Sequence, residues 1–337
     1  MATPFEDDDP VDGFGADGPA GRIEQVATVT AAQAGRRLDQ AAAALFPEHS
    51  RSRLQQWIET GALTVDGGPG DVKRRVVGGE CLRLSVAPSP AGDWLPEDLP
   101  LDVVYEDEDI LVVDKPAGLV VHPAAGHEQG TLVNALLYHD PALAHLPRCG
   151  IVHRIDKDTT GLLVVARTLE AHTSLVRQLQ DKSVWREYEA VANGLVMGDG
   201  KVDAPIGRHP TDRKKMAVVT GGKPAVTHYT VLRRFRAHTH LRLKLETGRT
   251  HQIRVHMAQQ KHPLAGDPVY GGRVLLPPYC TEALSACLHG FSRQALHASR
   301  LGLVHPRSGE FMGWRSPLPD DMVVLLDLLA EDAAVNA

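Results

Sequence analysis

Four cysteines in 337 residues (Cys81, Cys149, Cys280 and Cys287) cannot supply a disulfide framework. Only Cys280 and Cys287 are close, and the six residues between them are not the spacing of a zinc knuckle. Reduced thiols of a cytoplasmic protein are expected. No run of eighteen apolar residues occurs, so the sequence offers no membrane span. The start of the chain lacks the basic residues and apolar centre of a secretory signal. There is no internal repeat, and no glycine-rich loop with a following lysine that would cradle phosphates. What is present is ordinary in bulk: 43% hydrophobic and 23% charged residues, enough chain for one large domain and one small one.

Acidic residues outnumber basic ones by 42 to 36, which is the wrong sign for a nucleic-acid binder taken as a whole. The imbalance is local. Residues 1–18 hold six acidic residues and no Lys or Arg, so the rest of the chain is neutral; residues 91–114 hold nine and again no Lys or Arg. Residues 205–262 hold thirteen Lys or Arg against only Asp212 and Glu246. Segregation of this kind is the footprint of a surface that follows phosphates, whereas a merely solvated face alternates its signs.

Residues 1–22, rich in Asp, Gly and Pro, read as a disordered acidic leader. A small α/β unit is expected over 23–87. In it, a helix runs from Arg36-Arg37-Leu38-Asp39 to Phe46, and a second, capped by Ser50, puts Leu54, Trp57 and Ile58 on one face until Gly61 stops it. Strands follow at 63–65 and 81–86, the first closed by an Asp66-Gly67 turn. Residues 88–100, with Pro88, Pro90, Pro96 and Pro100, read as a stiff linker. From 101 to 330, strands are expected at 103–105, 110–113, 119–121, 162–166, 186–192, 225–234 and 239–245. Helices are expected at 131–138, 169–181, 251–260 and 321–330, with a tail at 331–337. Strands outnumber helices without alternating with them, which predicts an α+β domain around a mixed or antiparallel sheet.

The most informative run is His153-Arg154-Ile155-Asp156-Lys157-Asp158-Thr159-Thr160-Gly161-Leu162-Leu163-Val164-Val165-Ala166. A carboxylate stands beside a strong base in a polar loop that dives directly into an apolar strand, an arrangement that is rigidly held yet open to a ligand. Other segments accompany it: Lys115-Pro116-Ala117-Gly118-Leu119-Val120-Val121-His122-Pro123, Arg186-Glu187-Tyr188-Glu189-Ala190, Gly248-Arg249-Thr250-His251-Gln252-Ile253-Arg254-Val255-His256, Gln294-Ala295-Leu296-His297-Ala298 and His305-Pro306. In chain order these resemble the motifs of the pseudouridine synthases that modify ribosomal RNA. The likeness covers nearly all of 23–325, and the segment 207–228 is most similar to the large-subunit branch. Ile155 stands where that family usually has Leu, a swap that keeps volume and polarity. Arg37-Leu38-Asp39 and Ser50-Arg51-Ser52-Arg53 look like the RNA-binding domain named after small-subunit ribosomal protein S-four. On these residues alone, a small α/β cap with a solvated basic face is the alternative.

The resemblance implies isomerisation of uridine to pseudouridine in large-subunit (23S) ribosomal RNA or its precursor, at several uridines of the stem-loop called helix 69. Uracil is detached, turned and rejoined through carbon 5, so no cofactor and no metal is demanded, and a monomer is expected. Asp156 is implied as the carboxylate near the anomeric carbon, acting as nucleophile or as base. Arg254 is implied as its partner, opposing the rise in pKa that burial brings. Tyr188 offers a ring to stack on uracil. Arg154 could fill the gap left by an everted base. His153 is open between RNA contact and loop packing, and Lys115 between ordering its turn and meeting phosphate. Arg249, together with Arg36, Arg37, Arg51 and Arg53, is expected to contact RNA. His251 and His256, five apart, lie on different helix faces and read as satisfied histidines rather than metal ligands. Three other readings compete: action at other large-subunit sites, a non-catalytic ribosome assembly factor, and a carboxylate-based nucleoside hydrolase.

Overall fold

The computed structural model describes residues 23–46, 49, 51–86, 94–123, 129–212 and 215–336. The expected leader, Ser50, the linker residues 88–93 and the side chain of Arg53 lie outside the described residues. The chain divides into two compact units, Met1–Gly92 and Asp93–Ala337.

The first unit contains β1 (Ile23–Thr28), α1 (Leu38–Leu45), α2 (Arg51–Glu59), β2 (Leu63–Val65), β3 (Gly68–Pro69) and β4 (Cys81–Val86). The strands form an antiparallel sheet in the order β1-β4-β2-β3. Leu38, Leu54, Trp57 and Ile58 of the helices pack against Leu63, Leu82 and Leu84 of the strands. Beneath them Asp39, fully buried, accepts from Arg37 Nε (3.0 Å), Arg51 Nη2 (2.7 Å) and Gln55 Nε2 (2.6 Å), tying α1 to α2. Burial opposes ionisation of Asp39, but the hydrogen bonds from Arg51 and Gln55 and the Arg51 charge outweigh it and hold the carboxyl below its ordinary range. β1 was not expected from the sequence, since Val26 is exposed and the strand is held by its register with β4 rather than by an apolar stripe.

The second unit runs β5 (Val103–Glu106), β6 (Ile110–Lys115), α3 (Leu132–His139), β7 (Thr160–Ala166), α4 (Leu169–Gln180), β8 (Trp185–Asn193), β9 (Gly200–Asp203), β10 (Ile206–Arg208), β11 (Met216–Val218), β12 (Val226–Arg234), β13 (His238–Leu245), α5 (Gln252–Gln259), α6 (Glu282–Gly290), β14 (Leu296–Val304), β15 (Phe311–Arg315) and α7 (Asp320–Val335). A mixed sheet has the order β5-β6-β7-β14-β8-β13-β12-β9, with β15 on β14, and β10 pairs with β11 separately. All its pairings are antiparallel except β7 with β14, where Thr160 lies opposite His297 and Gly161 opposite Ala298. The period of two along each strand sorts the core. Leu163, Val165, Tyr188, Ala190, Leu241 and Leu243 pack with α3 and α5 on one side. Val112, Leu162 and Val164 pack with Leu175 and Val176 of α4 on the other. An α+β unit around a mixed sheet is thus the architecture, and no described helix is long and apolar enough to cross a membrane.

Two expectations need correcting. Leu119, Val120 and Val121 are not a strand: the carbonyls of Val120 and Val121 accept from the amides of Leu132 (2.8 Å) and Val133 (3.2 Å), so they serve the start of α3 instead of a ladder. The tail expected at 331–337 is helical to Val335, because Asp332 is buried and receives Arg236 Nη1 (2.9 Å) and the Thr281 amide (2.8 Å).

Candidate active site

The polar loop that precedes β7 is braced at nearly every residue. His153 Nε2 accepts from the Val164 amide (3.1 Å), and burial, aided by the Arg186 charge, pushes its pKa down to about 3, so the ring is a neutral packing element. Ile155 is buried in the main core, which explains why Ile serves in place of Leu. The Thr159 amide donates to the Asp156 carbonyl (3.1 Å), closing a turn around Lys157 and Asp158. Gln294 Nε2 donates to Thr159 Oγ1 (3.0 Å), and Arg293 Nη1 donates to the Asp158 carbonyl (3.3 Å).

Of the two alternatives for Lys115, the geometry favours ordering its turn over meeting phosphate. Its Nζ donates to the carbonyls of Pro116 (2.7 Å), Leu119 (3.0 Å) and Lys157 (2.8 Å). The residue is 1% exposed, and burial pulls its pKa down to about 8. With its donors committed to carbonyls, Lys115 clamps the loop and has none to offer a phosphate.

At the centre of this frame Arg254 Nη1 donates to Asp156 Oδ2 at 3.0 Å. Ninety-eight residues apart in sequence, the two meet because α5 packs on the face of the sheet from which the loop emerges. The guanidinium is fixed from its other side by Asp267, which accepts from Nε (2.7 Å) and Nη2 (2.9 Å) in a two-pronged pair. Asp267 in turn accepts from the amides of Val269 (2.8 Å) and Tyr270 (2.9 Å). Burial would strip the charge from Arg254, but the Asp267 hydrogen bonds and the Asp156 and Asp267 charges prevail and hold it above its ordinary value. The same pairing holds Asp267 below the usual carboxylate range against its own burial. Asp156 is the open end of the chain of charges: its side chain is 21% exposed, against 5% for Arg254 and none for Asp267. Arg254 also lies over the Tyr270 ring at 5.1 Å, whose hydroxyl meets His251 Nδ1 (2.9 Å) and the Met216 amide (2.9 Å). Asp267 and Tyr270 were not foreseen from the sequence; a buried arginine demands a carboxylate, but nothing in the sequence says which.

Tyr188, on β8, faces the same side, and no described residue hydrogen-bonds its hydroxyl. Burial raises its pKa, Asp156 raises it further and Arg186 opposes, so the group stays a neutral phenol within the field of the Asp156 charge. Arg154 is exposed on the loop, with no partner among the described residues. Behind it stands Arg148, also unforeseen, in left-handed backbone (φ 51°); burial and the Arg154 charge lower its pKa. Arg249 is half-buried, its Nε on the Pro224 carbonyl (3.2 Å). In the first unit Arg36 is exposed, while Arg37 and Arg51 are committed to Asp39 with part of each side chain still open. His256 is spoken for by Thr227 Oγ1 (2.9 Å) and the Ala204 carbonyl (3.0 Å). Among the described residues, ligand atoms of Asp107, Asp109 and His305 lie within 4.8 Å of one another. Arg307 Nε already sits on Asp109 at 2.7 Å, and His305 on Asp107 at 2.9 Å.

The RNA pseudouridylate synthase family profile matches residues 109–259. The chain is 60% identical to ribosomal large subunit pseudouridine synthase D of Pseudomonas aeruginosa, covering 92% of this chain and 97% of that one. It is 54% identical to the protein of the same name from Escherichia coli K12, covering 93% and 96%. Among solved structures it aligns with Human RNA Pseudouridylate Synthase Domain Containing 4 at a TM-score of 0.53 and 25% identity, over 68% of this chain and 93% of that one. With Human RNA Pseudouridylate Synthase Domain Containing 1 the values are 0.50 and 27%, over 66% and 84%. The chain belongs to the RNA pseudouridine synthase family.

Proposed function

We propose that this protein isomerises uridines to pseudouridine in large-subunit (23S) ribosomal RNA or its precursor, in the helix 69 stem-loop, with Asp156 as the reacting carboxylate. One observation carries the assignment of Asp156: a partly open carboxylate held at 3.0 Å by an arginine that a second, fully buried carboxylate keeps immobile. A stem-loop uridine is stacked and must be everted, at a cost of roughly a few kcal/mol, and the exposed Arg154 guanidinium is the group on this loop able to replace it in the stack. Asp156 then acts at the sugar, by attack on C1′ or by taking the C2′ proton. In both routes uracil departs with the C1′–N1 bonding pair. It turns and C5 bonds to C1′, displacing the Asp156 carboxylate in the first route and with the proton returned to C2′ in the second; the C5 proton is then lost and N1 regains one. Tyr188 flanks the base with its ring. The names of the relatives support large-subunit RNA as substrate. The first unit, with Arg36, Arg37, Arg51 and Arg53, serves as a separate S-four-type RNA contact, and the protein acts as a monomer.

Mapping pseudouridines in ribosomal RNA treated with the purified protein, beside Asp156→Ala, tests the reading. Modification in helix 69 by the wild type alone is expected. Modification by both proteins would remove Asp156 from the chemistry, modification elsewhere would move the target, and modification by neither would leave an assembly factor.

A further inference from the structure

Arg186 is a buried cation without an anion. It is 8% exposed, its Nε is fully buried with no hydrogen-bond partner, and no described carboxylate pairs with it. Its neighbour Glu187 uses the opposite sheet face, where opposite charges lie close: Arg242 at 3.1 Å and Arg300 at 3.2 Å. Alternation along β8 puts Arg186 on the same face as Tyr188, two residues on. The chain at Gly248 runs so close over it that a Cβ there would stand 2.8 Å from Nη1. Burial lowers its pKa and Tyr188 alone opposes that, so the charge is held at an energetic cost that no described carboxylate relieves. A desolvated charge left unpaired in this way points to a ligand that brings the counter-charge.

Depth decides which part of the RNA that is. In a flipped nucleotide the base goes furthest in and the phosphates stay at the rim, where the exposed Arg154 lies. We propose that Arg186 is the cation that meets the detached uracil, compensating the negative charge it carries between breakage of the C1′–N1 bond and formation of the C1′–C5 bond. This rests on the isomerase reading but not on which route Asp156 takes, because both leave the bonding electron pair on the pyrimidine. Charge stabilisation confined to the intermediate raises the rate of the chemical step without tightening RNA binding.

The test compares wild type, Arg186→Met and Arg186→Lys on a transcribed large-subunit RNA fragment, by single-turnover pseudouridine formation, RNA affinity over a salt series, and thermal melting. Arg186→Met is expected to slow the chemical step on the order of 10²-fold, leave Kd within about 2-fold with an unchanged salt slope, and melt at a higher temperature because an unpaired buried charge is gone. Arg186→Lys, keeping charge but not the planar fork, should recover part of the rate. An unslowed Arg186→Met would overturn the proposal. So would a weaker Kd with the salt slope reduced by about one, the mark of a phosphate contact, or a fall in both melting temperature and activity in both variants, the mark of a structural residue. An inactive wild type would sink the isomerase reading and this proposal with it, whereas an active wild type beside an unslowed Arg186→Met sinks this proposal alone.

Discussion

Arg254 divides its donors between a buried carboxylate and the one proposed to react. Its Nε and Nη2 are given to Asp267 and only Nη1 to Asp156. Removing Asp267 leaves a buried guanidinium with a single, half-open partner. Asp267→Ala is therefore expected to cost about 3–5 kcal/mol in urea denaturation, whereas Asp156→Ala, at the open end, should cost far less while abolishing pseudouridine formation. Equal losses for the two variants would contradict the division of labour. At this scale the family resemblance pointed to Asp156, Tyr188 and Arg254, and the structure brings the expected pair Asp156 and Arg254 into contact. The sequence was not legible where a role depends on what a side chain finds in three dimensions. For Lys115 the sequence leaves turn ordering and phosphate contact both open, until its Nζ is found on three carbonyls. Asp267 sits in a stretch with no periodic pattern, and only contact with Arg254 reveals it.

Among the elements, the β7–β14 contact does most to position the loop. Gly161 has φ +111°, and a Cβ there would lie 2.4 Å from the Ala298 carbonyl oxygen and 2.7 Å from its nitrogen, both backbone atoms that cannot step aside. Gly161→Ala is expected to lose about 2–4 kcal/mol of stability and to reduce activity disproportionately, since β7 is the wall from which the Asp156 loop hangs. A stability measurement within a few tenths of wild type would refute this. A strand with clean alternation, such as β13, was readable from the chain. The segment 119–121 was misread because its apolar residues look like a strand while its carbonyls cap α3. The end of α7 was misread because Asp332 and Glu331 look solvated, yet Asp332 is buried on Arg236.

For the whole molecule, several buried histidines set the response to acid. Burial puts His122 and His153 at about 3, and His172 and His238 at about 4, below the unfolded value of 6.5. Between those limits the unfolded chain binds more protons, so stability is complete above about pH 6.5 and is lost as pH falls through that window. Asp39 and Asp267, both held low, add further loss below about 3.8. Melting temperature should fall from pH 7 to pH 5, and a flat profile would contradict it. The first unit has its own test. Exposed Arg36→Ala should weaken RNA binding and lower the salt slope by about one without unfolding anything, whereas Arg51→Ala should also loosen the first unit, because Asp39 loses its shortest arginine contact. An unchanged slope for Arg36→Ala would count against an RNA-gripping role.

The lone parallel register also has a consequence for biosynthesis. A ribosome emits the chain from its N-terminus, and Asp156 emerges long before the residues that steady its surroundings: Arg254, Asp267, Arg293, Gln294 and β14, with Asp321 gripping Arg293 last of all. Until they emerge, the nascent polypeptide holds Asp156 on a loop braced only locally, by Lys115 and by the Val164 amide on His153. On the role proposed for Asp156, competence to modify RNA therefore waits for those later residues, and a growing chain that lacks them, however close it lies to ribosomal RNA, is expected to be chemically silent.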